Sequence, residues 1–262
     1  MNLIENPVYN MQQSINNLTE KGDFVFLNVL SPADLKLGEQ LKIVNSNDYY
    51  NEGKLEGLED DLPNFICSIG PNDPILAKEI SEIFQNIISN ILQASGKESG
   101  YVILRASTPN GEFDLPRWHE DGAFYRTKPI EYKFATVLKG PLTLFCLPNP
   151  QLRELVCNTN QNNRIKCSEL LKNEPVIQGN QGQGVFFKVG DGNKNSAMHS
   201  EPKIDSERLF FSFVPANLKE IQSRKLLLKW IDAGKLNDFQ SYVPKNEEDE
   251  MEYKILQELL LK

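Results

Sequence analysis

From residue 100 the chain delivers short apolar runs that end too soon to be helices. They read YVILRAS (101–107), YKFATVLK (132–139), LTLFCL (142–147), GVFFKV (184–189) and RLFFSFV (208–214). Each is rich in β-branched or aromatic residues and bounded by Gly, Pro or Asn, the pattern of strands. Several short strands joined by irregular loops predict a sandwich or a barrel. At 262 residues the chain can bury a full core, so the expectation is one domain over 1–262.

The flanks read differently. Residues 1–99 mix short apolar pieces such as FVFLNVL (24–30) with polar, turn-rich ones, and NDYYNEGKLEGLEDDLPN (47–64) reads as an acidic surface loop. Helix periodicity is clearest over 73–95. Leu76, Ile80, Phe84, Ile87 and Ile91 form one stripe, with Asp73 as N-cap, Pro74 in the first turn and Gly96 as terminator. The stretch 148–183 reads as an insertion or long loop with a short helix near 166–173. Beyond 216 helix periodicity returns in LKEIQSRKLLLKWIDAGKL and EEDEMEYKILQELLLK. The latter leads with acidic residues and ends on Lys262, which suits the helix dipole.

Composition narrows the function classes. The net charge of −8 argues against a nucleic-acid-wrapping surface, because phosphate binding needs Lys and Arg. The N-terminus shows no signal-peptide pattern and no window is apolar enough to span a membrane. The cysteines (Cys67, Cys146, Cys157, Cys167) form no C-x-x-C pair and read as free thiols. The expectation is a cytoplasmic protein.

Chemistry points to the two histidines, the only ones in the chain. His119 sits in RWHEDGAFY. In an extended strand, residues two apart project to one side, so His119 and Asp121 point together and Glu120 points away. His199, in AMHSEPKIDSERLFFSF, alone could supply a second imidazole. Two His and one carboxylate make the facial set of non-haem Fe(II) oxygenases. Each histidine taken singly reads as well as a hydrogen-bonded structural residue. Arg208 opens the strand RLFFSFV, sharing a face with Phe210 and Ser212. Leu209, Phe211 and Phe213 take the other face, which needs a cover; helix 73–95 is the candidate. An inward Arg208 needs a carboxylate, from a ligand or from an Asp or Glu of the chain.

Together, HED, MHSEP and the later Arg resemble the H-x-D…H…R pattern of Fe(II)/2-oxoglutarate-dependent dioxygenases. The order of pieces over about 100–215 is similar to the prolyl-hydroxylase and phytanoyl-hydroxylase branches. The resemblance implies an α+β protein whose mainly β core, 100–215, is a double-stranded β-helix (jelly roll). N-terminal and C-terminal helices, in 1–99 and 216–262, would flank it. It implies Fe(II) on His119, Asp121 and His199, and 2-oxoglutarate on Arg208, assisted by Ser212, Tyr101 or Arg105. Asp121 favours hydroxylation or oxidative demethylation over halogenation, since the related halogenases lack this carboxylate. The pattern departs at Phe210, where some branches carry a hydrogen-bonding Ser. Besides O2, the partner is a small-molecule or protein substrate, with Phe124, Tyr125 and Arg126 placed to touch it. Trp118 reads as core. Two other readings fit the residues: a cupin-like or hydrolytic metal barrel without oxoglutarate chemistry, and a non-enzymatic binding module.

Overall fold

The computed structural model describes residues 6–53, 55–109, 115–121, 132–147, 150–156, 161–189, 196–235 and 239–260. Helix α1 (Pro7–Lys21) and strand β1 (Phe24–Asn28) lead into α2 (Pro32–Gln40), β2 (Asn47–Glu52), α3 (Leu58–Ser68) and α4 (Pro74–Ser95). Strands β3 (Ser99–Ser107), β4 (Arg117–His119), β5 (Tyr132–Lys139) and β6 (Leu144–Cys146) follow. Helices α5 (Pro150–Val156) and α6 (Gln161–Leu170) precede β7 (Val176–Gln178), β8 (Gln183–Lys188), β9 (Met198–Glu201) and β10 (Arg208–Ala216). The chain ends with α7 (Leu218–Asp232) and α8 (Glu247–Leu260).

The strands form two antiparallel sheets. One has six strands in the order β1-β8-β5-β10-β3-β2, the other four in the order β4-β9-β6-β7. Side-chain alternation divides the large sheet into two faces. Val102, Leu104, Leu209, Phe211, Phe213, Phe134 and Phe186 face the helices. There they meet the α4 stripe of Ile80, Phe84, Ile87 and Ile91. Phe84 stacks on Phe211 with ring centroids 4.8 Å apart and planes 7° apart, a pairing worth about 1 kcal/mol beyond its buried area. The helix 73–95 is therefore the cover that the Leu209/Phe211/Phe213 face requires. Its ends follow the sequence: Asp73 caps the amide of Ile75 and Gly96 terminates in the left-handed region.

The other face of the large sheet carries Tyr101, Ala135, Val185, Phe187 and Val214 and packs on Phe145 of the small sheet. Helices α5 and α6 cover the back of the small sheet, where Trp118, Cys146 and Met198 meet Leu152 and Cys167. Trp118 is thus core, as expected. Helices α7 and α8 hold a cluster of Leu227, Trp230, Phe239 and Leu256. Trp230 Nε1 donates to Glu252 at 2.8 Å, so α8 packs against its own chain.

Two expectations need correction. Residues 47–64 are not a surface loop: they hold β2, the edge strand beside β3, and the start of α3. An edge strand takes its hydrogen bonds from the neighbouring main chain, so NDYYNE forms one without apolar alternation. The stripe of α3, Leu58, Leu62, Phe65 and Ile66, continues past residue 64. Residues 148–183 likewise hold α5, α6 and β7 rather than one long loop. The polar outer side of α6 hides the few positions, such as Cys167, that reach the core.

Gly140 shapes the turn beside Arg208. It sits after β5 with φ +92°, a conformation that favours glycine. A Cβ there would stand 2.9 Å from Arg208 Cα and overlap the carbonyl oxygen of Glu207. The missing side chain lets this turn lie against the start of β10.

Candidate metal centre and anion pocket

β4 and β9 pair so that His119 lies directly opposite His199. Their rings are 4.2 Å apart, centroid to centroid. Asp121 lies two residues beyond His119, just past the end of β4, and turns back between them. Its Oδ1 is 3.7 Å from His119 Nε2 and its Oδ2 is 3.6 Å from His199 Nε2. Glu120 points the other way, to Arg153 at 2.9 Å. The H-x-D alternation therefore holds although the regular strand ends at His119.

The ligand atoms of His119, Asp121 and His199 all lie within 4.8 Å of one another. Separations of 3.6–3.7 Å are too long for hydrogen bonds. They suit groups around one ion: two ligands about 2.1 Å from a cation stand about 3.0 Å apart at a right angle and no more than about 4.2 Å. The tautomers agree. His119 Nδ1 is 2.8 Å from Arg117 O and His199 Nδ1 is 3.1 Å from Ala197 O. A carbonyl only accepts, so each Nδ1 must carry the proton, leaving each Nε2 lone pair for a cation.

Electrostatics favour the binding-competent forms. Burial opposes ionisation of Asp121, but Lys133, His199 and His119 outweigh it and hold the carboxyl well below the usual carboxylate range. Burial, with the field of His119 behind it, pushes His199 down to about 4. The imidazole is thus neutral at pH 7, as a ligand must be. Phe145 stacks on His199 at 5.9 Å and Phe187 packs on it at 4.7 Å, fixing the ring. Glu201, at the end of β9, takes Arg105 at 2.9 Å and Arg117 at 2.6 Å, with His119 Nδ1 4.0 Å away.

Beyond Phe145 a small cavity opens between the sheets, lined by Ala135, Val137, Leu142, Thr143, Phe145 and Val185 among others. The β5–β10 register orders this interior. Lys133 stands at the metal end, Ala135 lies opposite Ser212, and Val137 lies opposite Phe210. A bulge then leads to Arg208.

Arg208 is 1% exposed. Its Nε donates to Pro141 O at 2.8 Å and its Nη2 to Thr143 Oγ1 at 3.1 Å, while the guanidinium lies 4.8 Å from the Phe210 ring centroid. Among the described residues no carboxylate forms an ion pair with it. Burial pushes its pKa down to about 10. A buried cation without a paired carboxylate, held by a cavity-lining residue, Thr143, has the charge that an anion-binding site requires. Ser212 Oγ is fully buried and has no hydrogen-bond partner among the described residues, so it too can take a ligand.

Two other expected co-substrate residues sit elsewhere. Arg105 is engaged by Asp48 at 3.2 Å and by Glu201. Tyr101 pairs with Val214, six residues along β10 from Arg208, or about 20 Å at the strand rise. Its hydroxyl donates to Ile221 O, and Arg224 covers its ring at 4.1 Å. Phe124, Tyr125 and Arg126 lie outside the described residues. Sequence reasoning did not single out Lys133, Thr143 or Glu201. Lys133 was findable, as a lysine on the inward side of a strand beside Ala135 and Val137. Thr143 and Glu201 carried no local signal.

No family model matches the sequence and no curated protein does. Among solved structures, the chain is similar to a prolyl-4-hydroxylase from Pseudomonas putida. They share 12% identity over 79% of this chain and 98% of that one, with a TM-score of 0.41. A Trichoplax adhaerens prolyl hydroxylase, in complex with a hypoxia inducible factor peptide, shows 10% identity over 82% and 93%, with a TM-score of 0.41. The non-heme alpha ketoglutarate dependent epimerase SnoN from nogalamycin biosynthesis shows 12% over 79% and 82%, with a TM-score of 0.40. Likeness at this level leaves the site's own geometry to carry any functional reading.

Proposed function

We propose that the chain is a non-haem Fe(II)/2-oxoglutarate-dependent dioxygenase that hydroxylates, or oxidatively demethylates, its substrate. On this reading the two sheets are the walls of a double-stranded β-helix, with 100–215 as its catalytic core. The observation that carries the proposal is Arg208. A His–Asp–His cluster alone would serve a hydrolytic or cupin-like centre equally well. A buried guanidinium in the same inter-sheet interior, with no carboxylate paired to it among the described residues, favours a ligand with a carboxylate at its far end.

The chain's residues have separable roles. His119, His199 and Asp121 would hold Fe(II). Arg208 and Thr143 would orient the distal carboxylate of 2-oxoglutarate, with Ser212 donating to the ligand between. Phe145, Val137 and Val185 exclude water along its length. When bound, Fe(II) and 2-oxoglutarate supply O2 activation, with one oxygen atom leaving in succinate and the other entering a substrate C–H bond. The segment holding Phe124, Tyr125 and Arg126 follows directly on Asp121 and is our candidate for substrate contact.

The test is aerobic incubation with Fe(II), ascorbate and 2-oxoglutarate, measuring succinate. Wild type should form it and His199→Ala should not. Fe(II) binding without any 2-oxoglutarate binding would favour the hydrolytic or cupin-like centre instead.

A further inference from the structure

Lys133 is the one buried cation, among the described residues, that touches the proposed ligand set. Lysine is rarely this buried unless paired, and Lys133 is 8% exposed. It stands on the inward face of β5, directly across from Phe187 of β8. Its Nζ lies 5.8 Å from the centroid of the Phe187 ring, and that ring also packs on His199. The ammonium donates to Asp121 Oδ2 at 3.0 Å. The two oxygens of Asp121 are therefore not equivalent: Oδ1 faces His119, while Oδ2 faces His199 and already accepts from Lys133.

We infer that Lys133 is a positioning residue that keeps Asp121 a one-oxygen ligand. The inference rests on the dioxygenase reading above. Six positions surround an octahedral ion, and two imidazoles with one carboxylate oxygen leave three. A chelating 2-oxo acid would need two of these and O2 the third. A second Asp121 oxygen on the ion would remove one of these. Lys133 prevents that in two ways. It occupies a lone pair of Oδ2, and its charge repels a second cation approaching that oxygen inside a low-dielectric interior. A merely structural ion pair would place no such condition on the coordination number.

The test compares wild type, Lys133→Met and Lys133→Arg under anaerobic conditions. Co(II) affinity is measured by titration, and the visible charge-transfer band of Fe(II)-chelated 2-oxoglutarate is recorded. Lys133→Met should bind Co(II) about tenfold tighter, equivalent to about 1.4 kcal/mol, because a competing cation is gone and a second oxygen is free. Its chelate band should be weakened. Lys133→Arg keeps a donor and a charge and should retain the wild-type band; loss of it there would point to packing and overturn the assignment. Unchanged Co(II) affinity in Lys133→Met also overturns it, whether the band is kept or lost. Loss of the band alone would mean that Lys133 contacts the co-substrate itself. A second measurement needs no variant. Water-proton relaxation of the Mn(II)-loaded wild type should count three bound waters, and two would refute the inference. If wild type binds none of these metals, the dioxygenase reading falls, and this inference with it. If wild type binds metal and 2-oxoglutarate while the variants match it, only the role of Lys133 falls.

Discussion

Replacing Arg208 with Met should separate the stability of the fold from its affinity for a dicarboxylate. Burial lowers the guanidinium from its ordinary value to about 10, a penalty of about 3 kcal/mol on its charged form. Against this stand its hydrogen bonds to Pro141 O and Thr143 Oγ1, worth about 1.5–3 kcal/mol each from a charged donor. Met gives up the bonds and also removes the penalty. The ligand-free protein should therefore stay within about 1–2 kcal/mol of wild type. Ligand binding should respond quite differently. A ligand at a hundred times its Kd stabilises by about 2.7 kcal/mol, and for a chain of this size each kcal/mol moves Tm by about 2–4 °C. With Co(II) present and O2 excluded, 2-oxoglutarate should raise the wild-type Tm by about 5–10 °C and that of Arg208→Met by no more than 2-oxobutyrate does. 2-Oxobutyrate, which lacks the distal carboxylate, should act equally on both. An equal shift by 2-oxoglutarate in the two proteins would refute the assignment of Arg208.

Asp121→Ala should destabilise the metal-free protein by about 3 kcal/mol in urea denaturation, because it removes the carboxylate that accepts from the buried Lys133 ammonium. Adding Lys133→Met should restore much of that loss. Gly140→Ala should cost at least about 2 kcal/mol from the positive φ and the contact with Arg208. It should also weaken the 2-oxoglutarate Tm shift, because Arg208 must move. Acid should act through His199. Its folded pKa lies at about 4, below its ordinary 6.5, so the unfolded chain takes this proton first. Stability from this group is therefore present above pH 6.5 and lost as pH falls from 6.5 towards 4, by about 3 kcal/mol. Urea midpoints of metal-free wild type and His199→Phe should diverge over that window. Parallel curves would contradict the assigned neutral state.

Much of the site was legible because its signals are local. His119 and Asp121 announce themselves two residues apart, and Arg208 opens a strand whose alternation already separates it from Leu209, Phe211 and Phe213. The α4 stripe gave its own caps. What stayed hidden depends on partners distant in sequence. β2 exists because β3 offers it a main-chain edge, and nothing in NDYYNE says so. Thr143 matters because Arg208, 65 residues away, donates to it. Arg105 looked available from its strand, but Asp48 and Glu201, 57 and 96 residues away, claim it. Tyr101 shares that strand, yet its register carries it to the α7 end.

The proposed function requires that His119, Asp121 and His199 bind one metal ion. The most direct test is a crystal of the protein loaded anaerobically with Fe(II), measured at the iron absorption edge. One anomalous peak should lie about 2.1 Å from His119 Nε2, His199 Nε2 and one oxygen of Asp121. A peak elsewhere, or one that leaves out either imidazole, would contradict it.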